Sequence, residues 1–217
     1  MVPPPETNLD KPHASSGGPA PAFVGLTGTV GAGKSETLAA FGRLGAAILS
    51  TDAVAHELLD NPEVHRRLVE RWGDEVQADG RVDRGRVGGI VFARPKELAW
   101  LESVLHPLVA RRVAEWRQTL RAEPPLAVVE VPLLFEAGME AAFDATVCVI
   151  AAEETRRARA RERGTELLAA RSGRQLSQDE KAARATHVIR NDGSLAELEQ
   201  QVARLMPVLA ALAAGAG

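Results

Sequence analysis

The stretch that most restricts the fold is "FVGLTGTVGAGKSETLAAFGRLG", from Phe23 to Gly45. Its apolar start, "FVGLT", reads as a short buried strand, and "KSETLAAFGRLG" has helical spacing with Gly45 as a stop. Between them, Gly28-Thr29-Val30-Gly31-Ala32-Gly33-Lys34-Ser35 satisfies G-x-x-x-x-G-K-[ST] at every fixed position. Glycines allow positive φ and close backbone approach, so successive N–H groups can converge on phosphate oxygens at the helix N-terminus. Lys34 would then reach the β- and γ-phosphates of a nucleoside triphosphate, and Ser35 would offer its hydroxyl to Mg²⁺. The plainer alternative is a glycine-rich turn with ordinary first-turn residues, and the strand-loop-helix context argues against it. Glu36 sits where the helix dipole favours a carboxylate and phosphate does not, so its side chain is expected to point away.

The rest of the chain continues the alternation. "AAILS" reads as a second strand and "TDAVAHELLD" as a helix ending at Asn61-Pro62. Residues 62–123 then read as helices without strands, with one helix expected to begin at His106-Pro107. Strands resume with "LAVVEV", "FDATVCVIA" and "THVIRN", and a long polar helical stretch precedes the last of these. A final apolar-periodic helix, "SLAELEQQVARLMPVLAALAA", closes the chain. Strands separated by helices imply a parallel sheet covered on both faces. The expected fold class is therefore α/β: a P-loop NTPase fold with a five-stranded parallel core, helices on both faces, a helical insertion and an Arg-rich segment. The division this suggests is a leader at 1–22, a core at 23–61, 124–154 and 186–217, a helical insertion at 62–123, and an Arg-rich segment at 155–185. The leader holds six of the thirteen prolines and is excluded from the fold on composition.

A formal net charge of -3 gives no global pull toward nucleic acid or acidic membranes, so neither is expected as a partner. Cys148 is the single cysteine, in the apolar run "ATVCVIA", and reads as a buried, inert thiol in a reducing compartment. The amino terminus lacks the pattern of a secretory signal, and a soluble, cytoplasmic protein is expected, as a monomer or weak homo-oligomer. With aromatics at 4% and no tyrosine, the core must be mainly aliphatic.

Guanine-nucleotide switches carry N-K-x-D, and none of the four lysines (Lys11, Lys34, Lys96, Lys181) lies in one. ATP-hydrolysing machines usually end a strand in adjacent acids, whereas "AVVEVP" supplies one, Glu130. A small kinase suits the pattern better. The ordered set "GLTGTVGAGKS", "LSTDAVAHELL", "DGRVDR", "LHP", "VVEVPLLFEAG" and "RSGRQLSQDEKAARATHVIRNDG" resembles the dephospho-coenzyme A kinase family from Phe23 to about Met206. That resemblance implies transfer of the ATP γ-phosphoryl group to the ribose 3′-hydroxyl of dephospho-CoA, the last step of CoA biosynthesis, with ATP and Mg²⁺ as cofactors, and it makes residues 62–123 a helical substrate domain and 155–185 an Arg-rich lid.

The residues expected to carry this follow from chemistry and resemblance together. A hydroxyl acceptor needs a carboxylate to orient it and take its proton, and Asp52, after the second strand, is the candidate; the alternative makes it only a helix cap. Ser50 stands where the family usually has a first acid. Glu130 is a candidate for metal work with Ser35, or for pairing with Lys34. Ten basic residues face five acidic ones between Glu154 and Arg190, a local positive field in which Arg171, opening R-x-x-x-Q, is the expected phosphate-stabilising arginine by resemblance. His106, Leu133 and Phe135 are acceptor-contact candidates against structural readings as turn and core residues. The nucleotide set is Gly28, Val30, Gly31, Ala32, Gly33, Lys34, Ser35 and Glu36, with Asn191 as an adenine contact or a turn residue.

Overall fold

In the computed structural model, residues 20–120, 126–162 and 175–214 are described. Along the chain, β1 (Ala22–Gly28) leads to α1 (Lys34–Arg43), β2 (Ala47–Ser50), α2 (Thr51–Leu58) and α3 (Pro62–Trp72). A two-strand hairpin, β3 (Gln77–Ala78) and β4 (Arg81–Val82), precedes α4 (Arg84–Ala93) and the long α5 (Pro95–Thr119). Next come β5 (Leu126–Glu130), β6 (Ala145–Ile150) and α6 (Glu153–Glu162). The helix Gln178–Arg184 is α7, followed by β7 (His187–Arg190) and α8 (Leu195–Ala214).

The main sheet has five strands in the order β2-β5-β1-β6-β7, and every neighbouring pair is parallel. Strand alternation sends Val24, Leu26, Val128, Val147 and Val149 to one face, where Leu38 and Phe41 of α1 and Leu198, Val202 and Leu209 of α8 cover them. Phe23, Ala127 and Val129 point the other way and meet Leu134, Phe135 and the second half of α5 at Val113 and Trp116. Four of the eight aromatics pack here, Phe23, Phe135, Phe143 and Trp116: Phe23 stacks on Phe143 with centroids 5.0 Å apart, and the Arg117 guanidinium lies 4.2 Å from the Phe23 centroid. The insertion has its own core, built from Leu59, Val64, Leu68, Val76, Val87, Leu101 and Leu105. α5 belongs to both cores, so one helix fastens the insertion to the sheet.

Four expectations about elements are revised. β1 begins at Ala22, one residue inside the excluded leader, and Ala22 is buried in register with Leu126. The insertion contains the β3-β4 hairpin, because Asp79 (φ 51°) and Gly80 (φ 72°) both take the left-handed conformation that a tight two-residue hairpin requires. His106-Pro107 does not open a helix. α5 runs unbroken through Pro107, since Leu101 and Leu105 before it and Val113 and Trp116 after it are held by two different cores. The polar stretch before β7 is interrupted at residues 175–177, where Ser177 and Glu180 form a reciprocal capping box that starts α7 afresh.

Candidate active site

The loop after β1 lies at the carboxyl ends of the strands, where ligands of open parallel sheets bind. Gly31 (φ 78°) and Gly33 (φ 97°) both take left-handed backbone. Gly33 is the N-cap of α1 and has no side chain to cap it, so the first-turn N–H groups are left for an external acceptor. Lys34 Nζ donates to the carbonyl of Thr29 at 3.2 Å, folded back over the loop. Burial pushes its pKa below the usual lysine value, while Glu130 and Asp52 pull it upward. Glu36 bonds Arg43 Nη2 at 2.9 Å, and Arg43 also holds Glu199 at 2.7 Å. The Glu36 carboxylate is thereby drawn along the helix, away from the loop.

Two carboxylates approach from β5 and α2. Glu130 ends β5, in register with Leu26 of β1 on one side and Ser50 of β2 on the other, and is 4% exposed. Its Oε1 accepts from Ser35 Oγ at 3.5 Å, and its carbonyl accepts from Thr51 Oγ1 at 2.9 Å. Burial raises the Glu130 pKa, Lys34 opposes that, and Asp52 adds to it. Asp52 sits exposed in the first turn of α2. The cap of that helix is Ser50, whose Oγ accepts from Ala53 N at 3.4 Å, so the capping alternative for Asp52 is replaced. Lys34, Ser35, Glu130 and Asp52 therefore share one electrostatic neighbourhood.

The remaining sequence candidates are distributed unevenly. Leu133 is half-buried in the turn after β5. Phe135 is 2% exposed within the sheet core, with the Arg184 guanidinium 5.0 Å from its ring centroid, which favours the packing alternative. His106 is exposed on α5, the helix that packs against α2. Asn191 is buried, and its Nδ2 donates to the carbonyl of Ala32 at 2.9 Å. Arg171 lies outside the described residues. Between α2 and α5 opens a cleft of ≈ 250 Å³, lined by Val54, Glu57 and Leu58 on one side and Leu108, Arg111 and Arg112 on the other.

Three residues near the loop were not singled out by sequence reasoning. Arg156 Nη1 donates to Thr29 Oγ1 at 3.2 Å, and Arg159 Nη1 donates to the carbonyl of Asn191 at 3.0 Å. Lys181, wholly buried, donates to the carbonyl of Pro132 at 2.6 Å and lies 3.0 Å from Glu136 Oε1. Nothing in a run of interleaved arginines distinguishes those that bend back to the loop. Lys181 carried a signal, being one of four lysines in the whole chain.

The family model described as dephospho-CoA kinase matches residues 22–197. The chain belongs to the dephospho-CoA kinase family. It is 38% identical over 199 residues to the dephospho-CoA kinase of Thermus thermophilus, covering 90% of this chain and 94% of that one. The dephospho-CoA kinase of Deinococcus radiodurans is 40% identical over 187 residues, with 84% and 89% covered. A crystal structure from Thermus thermophilus superposes with a TM-score of 0.73 at 37% identity, over 87% of this chain and 98% of that chain. The dephospho-CoA kinase structure from Campylobacter jejuni shares the fold, with a TM-score of 0.61 at 24% identity over 88% and 98%. Membership in this family makes the chain an ATP-dependent kinase, a phosphotransferase on a P-loop kinase fold.

The oxygen donors suit a hard divalent cation. Ser35 Oγ and Glu130 Oε1 stand together beside the loop, and no group of three or more His, Cys, Asp or Glu that could hold a metal ion occurs among the described residues. Mg²⁺ needs only one or two protein oxygens when phosphate and water complete its octahedron. Among the described residues, no helix is long and apolar enough to cross a membrane.

Proposed function

We propose that this chain transfers the γ-phosphoryl group of ATP to the ribose 3′-hydroxyl of dephospho-CoA, giving CoA and ADP. The observation that carries the reading is the convergence of an uncapped helix N-terminus, Lys34 and two carboxylates at the carboxyl ends of β1, β5 and β2. In the transfer, the acceptor oxygen forms a bond to the γ-phosphorus as the bond to the β,γ-bridging oxygen breaks, and ADP leaves with that electron pair. Asp52 is the group that orients the hydroxyl and takes its proton, a role its exposure and its freedom from the helix cap support. The loop amides and Lys34 hold the phosphates, and Asn191 stands beside them.

Mg²⁺, held by Ser35 with Glu130 close by, would neutralise charge on the β- and γ-phosphate oxygens. Arg171 is the arginine assigned to the transferring phosphate, since a guanidinium chelates its oxygens. The helical insertion is the acceptor side, with residues 62–123 as the substrate domain and 155–185 as the lid. The α2-α5 cleft, one to two helical turns beyond Asp52, suits the remainder of a long acceptor, with His106 and Leu133 as further contacts.

A coupled ADP assay across acceptors tests the reading. ADP formation should require dephospho-CoA and Mg²⁺ together, with CoA as the product. Turnover with a nucleoside monophosphate or a sugar alcohol, and none with dephospho-CoA, would refute the substrate assignment.

A further inference from the structure

We infer that Asn191 is a positioning residue for the phosphate loop, acting through the Ala32 peptide and not through the adenine. Its Nδ2 donates to the carbonyl of Ala32 at 2.9 Å, and Arg159 Nη1 approaches the same oxygen at 3.5 Å. In a planar trans peptide the carbonyl and the following N–H point in opposite directions. Two donors that hold the Ala32 oxygen on one side therefore aim the Gly33 N–H to the other, toward the open face of the loop. The grip is itself fixed: Asn191 N donates to Ile150 O at 2.8 Å, and Asn191 O accepts from Arg159 Nη1 at 3.0 Å. The strand end, α6 and the loop are thus joined at one buried side chain, 5% exposed. Gly33 is constrained by the same contact, because a Cβ there would collide with Asn191 Nδ2. Sterics and hydrogen bonding both require a glycine facing an asparagine.

This role deepens the phosphate-binding reading of the loop and rests on it. The test is calorimetric titration of Asn191→Asp and Asn191→Ala with two probes, Mg-ATP and magnesium tripolyphosphate, which has no base. Asn191→Ala removes the donor without adding charge and carries the comparison, whereas Asn191→Asp keeps the shape, removes the donor and adds a negative charge beside the loop. Because the Ala32 carbonyl then keeps, among the described residues, only Arg159 Nη1 at 3.5 Å, both probes should weaken by about 10-fold in Asn191→Ala and at least as much in Asn191→Asp, with the KM for dephospho-CoA held within roughly twofold. Loss confined to ATP would mean that Asn191 contacts the adenine, and no loss with either probe would mean that the Ala32 contact is structural only; both results overturn the inference. If wild-type protein bound neither probe, the phosphate-loop reading would fail and this inference with it. Should the variants not fold, the Asn191 side-chain amide resonances of the wild-type protein decide. They should respond alike to the two probes, and a shift seen only with ATP overturns the role.

Discussion

Replacing Lys181 by methionine should destabilise this protein far more than loss of a surface lysine. The side chain is wholly buried, 3.0 Å from Glu136 Oε1, whose own side chain is 11% exposed. Without the lysine, Pro132 O keeps a donor in Thr27 Oγ1 at 3.2 Å, and Glu136 Oε1 keeps the Leu176 N–H at 2.8 Å. Among the described residues Glu136 Oε2 has no hydrogen-bond partner, so the loss falls on a buried carboxylate that keeps, among those residues, the Leu176 bond. Breaking such a pair from one side costs about 3–5 kcal/mol, whereas removing both charges in favour of apolar groups is often neutral. For a chain of this size that corresponds to a Tm lower by about 6–20 °C. Lys181→Met/Glu136→Leu should recover most of it. Thermal and guanidinium denaturation followed by circular dichroism would measure both. A single-variant loss under about 1 kcal/mol, the scale of an exposed pair, would refute the argument, as would a double variant no more stable than the single.

Asp52→Asn should keep the wild-type Tm and lose about 10²-fold or more in kcat, the scale of general-base removal, measured by coupled ADP release. An unchanged kcat would end the proton-acceptor role. For Glu130, whose folded pKa is raised mainly by burial, the folded state binds more protons than the unfolded state at pH values between the unfolded and the folded pKa. Its contribution to stability therefore falls as pH rises from about 4.5 through the folded pKa, and Glu130→Gln should flatten that part of the stability-pH curve. Parallel curves for the two proteins would contradict this. The Cys148 thiol, pushed up to about 11 by burial, should react with a disulfide reagent at pH 8 only as fast as the protein opens, and at the rate of a free thiol once denatured.

The sequence alone determined the strands of the main sheet, the phosphate loop and the family. Each is written in local patterns: strand runs bounded by breakers, and a motif whose spacing is set by one turn between a strand and a helix. Helix boundaries in the insertion were less legible. Whether a chain stops at Pro107 depends on what holds the flanking turns, and here two cores on either side carry α5 through it. Asp79-Gly80 is a residue pair suited to a turn, but the strands it joins are too short to leave an alternating pattern.

The partners of individual side chains were decided only by tertiary structure. Sequence placed Glu36 beside phosphate, and its direction depended on Arg43 one further stretch of helix away. It offered Asp52 as cap or base, and the choice came from Ser50 taking the cap. Asn191 read as a turn or a base contact because the Ala32 carbonyl lies 159 positions away in the chain. Local sequence encodes backbone preference and burial, which are short-range quantities; a hydrogen bond between distant residues exists only once the sheet has brought β1, β6 and β7 side by side.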